Sequence, residues 1–148
     1  MEKTFTRVRS IRDIAASSSI ITLGALLTAL PDSDSLNILG FVLLVTGLIL
    51  ILVLKSAYRD EETGAKYRKK ERFFETCHRE SLTDRISGKT SKVDLSAEDK
   101  GNGLRLDIYH SQQTGKAYVQ LYEYVPYKYE PCTCMHEHDL ENIAELIG

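Results

Sequence analysis

Apolar residues crowd into the early part of this chain, and the period of hydrophobic and polar positions changes further along it. Residues 36–54 carry no charge, and Asn37 and Thr46 are their only polar side chains. As a helix this stretch is roughly 28 Å long, which matches a hydrocarbon core of about 30 Å. Residues 14–30 are also uncharged but include Ser17, Ser18, Ser19, Thr22 and Thr28. Only Pro31-Asp32-Ser33-Asp34-Ser35 separates the two. The pattern therefore predicts a membrane hairpin of two transmembrane helices within residues 1–54.

Paired helices in lipid rely on small residues that let backbones approach, and on hydroxyl bonds between helices. Ala15 with Ser19, Ser18 with Thr22, Gly24 with Thr28 and Ala25 with Ala29 are spaced four apart, and Gly40 and Gly47 lie two turns apart. This predicts packing within the hairpin. A homo-oligomer through the same helices, or a holin-like pore, is an alternative, although no ionisable residue lies within 14–30 or 36–54 to mark an ion path.

Residues 55–82 read as a charged juxtamembrane helix with a break at Thr63-Gly64. Lys66, Arg68, Lys69, Lys70 and Arg72 could meet anionic lipid head groups, with Tyr67, Phe73 and Phe74 entering the interface. A solvated helix whose cations only anchor the topology is the plainer reading. Glu71 and Glu75 interrupt the basic run, which argues against nucleic-acid binding.

From Ser91 the period becomes two. Val93 and Leu95 alternate with polar residues, and Gly101-Asn102-Gly103 marks a turn. Along residues 104–110, Leu104, Leu106 and Ile108 face one side while Arg105, Asp107 and Tyr109 face the other. Ala117, Val119 and Leu121 continue the inner face. Pro126 and Pro131 restrict the next stretch to a short edge strand at 127–130. Leu140, Ile143, Ala144 and Ile147 fall at helical spacing, with Asp139 placed as a cap. Residues 83–148 are thus expected to form a small α+β domain, an antiparallel sheet of about three strands with a C-terminal helix.

Charge orients this arrangement. The chain's net charge is −2, but Lys3, Arg7, Arg9 and Arg12 precede the first apolar stretch and Lys55 and Arg59 follow the second, whereas the turn holds Asp32 and Asp34. The positive-inside rule then places both termini and the domain in the cytoplasm of a plasma membrane, such as a bacterial inner membrane. A cleaved signal peptide is disfavoured because Leu27-Thr28-Ala29-Leu30-Pro31 lacks a small-x-small site.

Two clusters carry candidate chemistry. Tyr109, Tyr118, Tyr122 and Tyr124, with Tyr127 and Tyr129 beyond the proline, form an aromatic face suited to a protein partner, or to cross-strand packing. Cys132-Thr133-Cys134-Met135-His136-Glu137-His138 packs metal-ligand types into one run, so Cys132, Cys134, His136 and His138 are candidate zinc ligands, with His110 or Cys77-His78 as outside contributors. Closed zinc sites normally join pairs from separate elements, which weighs against this.

No nucleophile–base arrangement, P-loop or nucleophile elbow is present, so the chain is not expected to be an enzyme. The leading expectation is a membrane-anchored cytoplasmic binding or regulatory module, of accessory, immunity or exclusion type, acting through protein contact. A membrane-tethered metal or redox sensor is the alternative.

Overall fold

The computed structural model describes residues 3–30, 33–89, 93–94 and 103–148. It divides into two compact units, one of residues 7–57 and one joining residues 1–6 to 58–148.

The first unit is a helical hairpin of α1 (Ile11–Thr28) and α2 (Asp34–Val53). Ser10 caps α1 reciprocally: its hydroxyl accepts from the Asp13 N–H at 3.1 Å, and the Asp13 carboxylate accepts from the Ser10 N–H at 2.9 Å. The same carboxylate accepts from the Ser56 N–H at 2.9 Å and its hydroxyl at 2.7 Å, tying the start of α1 to the segment after α2. Between the helices the backbones nearly touch. A Cβ on Gly40 would stand 2.5 Å from the Thr28 nitrogen, and one on Gly24 would stand 2.6 Å from the Leu44 nitrogen. Asn37, a polar residue within the apolar run, has its amide placed to donate to the carbonyls of Leu27 and Leu30 at 3.0 Å, covering the open end of α1. Ser19 and Thr22 donate to the carbonyls of Ala15 and Ser18 in their own helix. Both helices are long and apolar enough to cross a membrane, and Ile38, Phe41, Leu52 and Val53 are exposed on α2.

The second unit is built on a seven-stranded sheet. Its strands are β1 (Phe5–Val8), β2 (Ala57–Asp60), β3 (Lys66–Phe74), β4 (Leu104–Ser111), β5 (Lys116–Val125), β6 (Lys128–Pro131) and β7 (His136–Asp139). The order is β1-β2-β3-β4-β5-β6, with β7 also pairing β5, and every registered pair is antiparallel. β1 precedes α1 and β2 follows α2, so these two strands carry both chain connections to the hairpin.

The expected helix over 55–82 is corrected here. β2 and β3 lie within it, and only Arg79–Ile86 forms an α-helix, α3, after a 3-10 turn at Thr76–His78. Lys, Arg and Glu favour helix, but seven cross-strand pairs with β4, from Arg68 opposite His110 to Phe74 opposite Leu104, override that preference. The sheet is correspondingly larger than the three strands expected. Val93 packs against the core outside any strand, and Leu95 and Gly101-Asn102 lie outside the described residues.

One sheet face carries Phe74, Leu104, Leu106, Ile108, Ala117, Val119 and Leu121 against Leu82 and Ile86 of α3. The chain's last residues complete this core, though not as the single helix expected: a 3-10 turn at Leu140–Ile143 leads into α4 (Ala144–Ile147), burying Ile143 and Leu146. Asp139 makes no side-chain cap bond and ends β7 instead. Lys70 from β3 donates to the carbonyls of Ile147 and of Gly148, the latter at 2.7 Å, supplying the cation that a helix C-terminus favours. Gly103 is required where it stands, since a Cβ there would collide with the Phe74 carbonyl oxygen.

Candidate functional site

The opposite sheet face carries the tyrosines, and the register lays them in rows. Lys69, Tyr109 and Tyr118 stand side by side, then Glu71, Asp107 and Gln120, then Phe73, Arg105, Tyr122 and Pro131. Phe5 from β1 lies over the first row. Its ring stacks on Tyr109 with centroids 4.3 Å apart and planes 3° apart, meets Tyr67 edge-on at 5.4 Å, and is tilted against Tyr118 at 5.8 Å. Tyr58 meets Tyr109 edge-on at 5.2 Å. Tyr109 and Tyr118 therefore act largely as a second small core, and Tyr118 is buried. Lys3 anchors this cover, with its ammonium 4.5 Å from the Tyr118 ring centroid and 2.8 Å from Asp60. Burial disfavours the Lys3 charge, but bonds to Asp60 and Tyr118 raise its pKa above the usual lysine range.

Asp107 occupies the middle row with 1% of its surface exposed. Lys69 approaches one carboxylate oxygen at 2.8 Å, while the other sits 3.0 Å from Arg105 Nε without a well-aligned hydrogen bond. Burial pushes the Asp107 pKa up against the pull of these cations. Lys69 is also desolvated, yet Asp107 and Glu71 hold its pKa up at about 12. Burial likewise pushes Tyr109 up to about 12. The Arg105 guanidinium in turn lies 4.7 Å from the ring centroids of both Tyr122 and Tyr129, a cation sandwiched between two π faces.

Between Lys3-Thr4-Phe5 on one side and residues 131–135 on the other lies a cleft of about 760 Å³, with Tyr109, Gln120 and Tyr122 among its lining residues. The segment 132–135 interrupts the pairing of β6 and β7 with β5. Its polar contacts replace ladder bonds: the Thr133 hydroxyl accepts from the Leu121 N–H at 3.0 Å, and the Gln120 amide donates to the Thr133 carbonyl at 3.1 Å. Tyr122 donates to Gln120 at 2.9 Å. The cleft thus presents aromatic rings and internally satisfied polar groups, with Cys134 and Met135 on its rim.

The remaining tyrosines sit at the β5–β6 hairpin. Tyr124 and Tyr129 face each other across the strands, with ring centroids 5.3 Å apart. Val125 pairs with Lys128, leaving a two-residue turn of Pro126 and Tyr127. Tyr127 has φ of 73° and is 97% exposed. That position of a Pro-led turn favours glycine or asparagine, so a tyrosine there is strained.

The Cys/His run is separated by the strand geometry. Cys132 faces the helix-covered side, where its thiol donates to the Leu121 carbonyl at 3.4 Å and burial pushes its pKa up. His138 Nε2 lies 2.8 Å from the Ile86 carbonyl oxygen, and Glu137 turns to the tyrosine side to accept from Tyr118 at 3.1 Å. Among the described residues, no three His, Cys, Asp or Glu side chains converge as a metal site would require. His110 sits on β4 opposite Arg68 and Ala117, and Cys77 is exposed on the 3-10 turn. Of the five candidate head-group cations of β3, Lys66, Arg68, Lys70 and Arg72 share one sheet face and only Lys69 lies on the other, while Lys70 is taken up by the C-terminal carbonyls and Arg72 is buried.

Phe5, Lys3, Gln120 and Thr133 are site residues that sequence reasoning missed. Only the alternation Lys3-Thr4-Phe5-Thr6 hinted at a strand. No protein-family model, no curated protein and no solved structure matches this chain.

Proposed function

We propose that the chain is an integral membrane protein anchored by the α1–α2 hairpin, with both termini cytoplasmic, and that its tyrosine-lined cleft binds a protein partner. The observation that carries this reading is the cleft of about 760 Å³ walled by Phe5, Tyr109, Tyr122 and Pro131, and the same β5–β6 hairpin holds a strained and exposed Tyr127 at its turn. Aromatic residues with a polar tip are enriched at the cores of protein interfaces, and strain retained at an exposed residue is characteristic of functional positions. An accessory, immunity or exclusion role suits a small anchored module of this kind.

A photocrosslinking residue at Tyr122 in the full chain, expressed in cells, tests the reading. It should give one discrete protein adduct in the membrane fraction, and that adduct should disappear when Gln120→Arg fills the cleft. Recovery of the chain in the soluble fraction without detergent would defeat the anchor. A membrane-bound chain giving no adduct would defeat the binding role.

A further inference from the structure

We propose that the β2–β3 hairpin carries a docking site for anionic phospholipid head groups, formed by Arg59, Lys66 and Arg68. Arg59 stands directly across the strands from Lys66, and Arg68 stands opposite His110. Alternation along β3 brings Lys66 and Arg68 to the same side, so three cationic side chains share one side of the hairpin. Like charges directly opposite one another destabilise a sheet, and an anionic ligand reverses that penalty.

The carboxylates of this hairpin do not relieve the repulsion. Asp60 is turned to Lys3 at 2.8 Å, Glu61 accepts from the Thr6 hydroxyl, and Glu62 lies 3.9 Å from Lys3. Among the described residues no ion pair involves Arg59, Lys66 or Arg68, and all three are exposed. The other cations of the run are engaged elsewhere: Lys69 pairs with Asp107, Lys70 holds the end of α4, and Arg72 is buried. His110, half-buried opposite Arg68, has its pKa lowered by desolvation and then by Arg68 and Lys70.

Chain length argues for a bilayer as the source of the anion. Arg59 follows the end of α2 by six residues. At about 3.5 Å per residue it lies within roughly 20 Å of that helix end, and Lys66 is held opposite it. Basic residues this close to a membrane span are attracted by an anionic leaflet within about a Debye length of its surface. This inference rests on α1 and α2 spanning the membrane.

Amide hydrogen exchange on the full chain in lipid nanodiscs tests it. Exchange over residues 57–68 should slow about fivefold in discs holding about 30% phosphatidylglycerol relative to phosphatidylcholine alone. The difference should vanish in about 0.5 M sodium chloride, and in the Arg59→Gln/Lys66→Gln/Arg68→Gln variant, which should fold at least as stably once its like charges are removed. Equal exchange in both discs would overturn the site. Slowing in neutral discs by inorganic phosphate would replace the lipid surface with a discrete phosphate site. Failure of the chain to enter discs at all would instead refute the membrane anchor.

Discussion

The Phe5 ring lies parallel to that of Tyr109, 4.3 Å away, so the strand that leads into α1 also covers the aromatic face of the sheet. Replacing Phe5 with Ala removes contacts to Tyr109, Tyr67 and Tyr118 and should cost about 2–3 kcal/mol, read as a lower thermal midpoint of the full chain in detergent. The sequence has no tryptophan, which makes Phe5→Trp a clean reporter. Its emission should be shielded from iodide, and solvent-like quenching would show that β1 does not cover this face.

The Lys3–Asp60 pair behind that cover sets a pH dependence of known sign. Burial opposes ionisation of Asp60, but Lys3, the Thr63 hydroxyl and the Glu62 N–H hold its carboxyl below the usual value of 3.8. A carboxylate depressed in the folded state contributes stability above its unfolded pKa and loses it as pH falls through the folded one. Asp60→Asn should therefore be less stable than the native chain by about 3 kcal/mol near neutral pH, with the gap closing below about pH 4. A gap that widened on acidification would contradict the pairing.

Asp107 lies under the cleft with cations on two sides, and its removal tests whether that network is structural. In Asp107→Asn, Lys69 keeps Glu71, at 2.5 Å, and the Tyr109 ring, and Arg105 keeps its two tyrosine rings. Breaking one partner of a largely buried pair should cost about 2–4 kcal/mol, although relieving a desolvated carboxylate offsets part of this. The paired change of Asp107→Asn with Lys69→Met should recover at least half of the loss in denaturation experiments. No recovery would mean that the two residues are not coupled.

Within the hairpin, a Cβ on Gly40 would meet two backbone atoms of α1, which have no rotamer by which to withdraw, as well as the Thr28 hydroxyl. Gly40→Val would drive a Cβ to 2.5 Å from the Thr28 nitrogen and 2.7 Å from the Gly24 oxygen, forcing the helices apart. We expect a loss of about 2 kcal/mol or more, seen as a lower thermal midpoint and faster proteolysis between α1 and α2 in detergent. Ala25→Val, on the exposed side of α1, should be nearly neutral by comparison.

The hairpin was legible because its apolar runs are long and its glycines sit at helical spacing. The strands Leu104–Ser111 and Lys116–Val125 were legible because their alternation is uninterrupted. β3 was not. In Lys66–Phe74 the inward positions Lys70 and Arg72 are charged, and one caps a helix end while the other is buried, so burial does not follow hydrophobicity there. The cleft was half legible. Tyr122 and Tyr109 came from the alternation, but its far wall, Lys3 to Phe5, is more than a hundred residues away in sequence. Nothing local records that pairing.

Tyr127 offers the sharpest separation of stability from binding. Its φ of 73° suits glycine, and its side chain is 97% exposed, so Tyr127→Gly removes strain without removing a packing contact. Relief of a left-handed non-glycine residue should stabilise the domain by about 1 kcal/mol, partly offset by the greater freedom of glycine when unfolded. A tyrosine kept for folding would make the same change destabilising. If it is kept for the partner, Tyr127→Gly should raise the thermal midpoint by a few degrees while weakening the adduct captured from Tyr122. A variant both more stable and undiminished in partner capture would remove Tyr127 from the interface and leave the cleft alone to explain recognition.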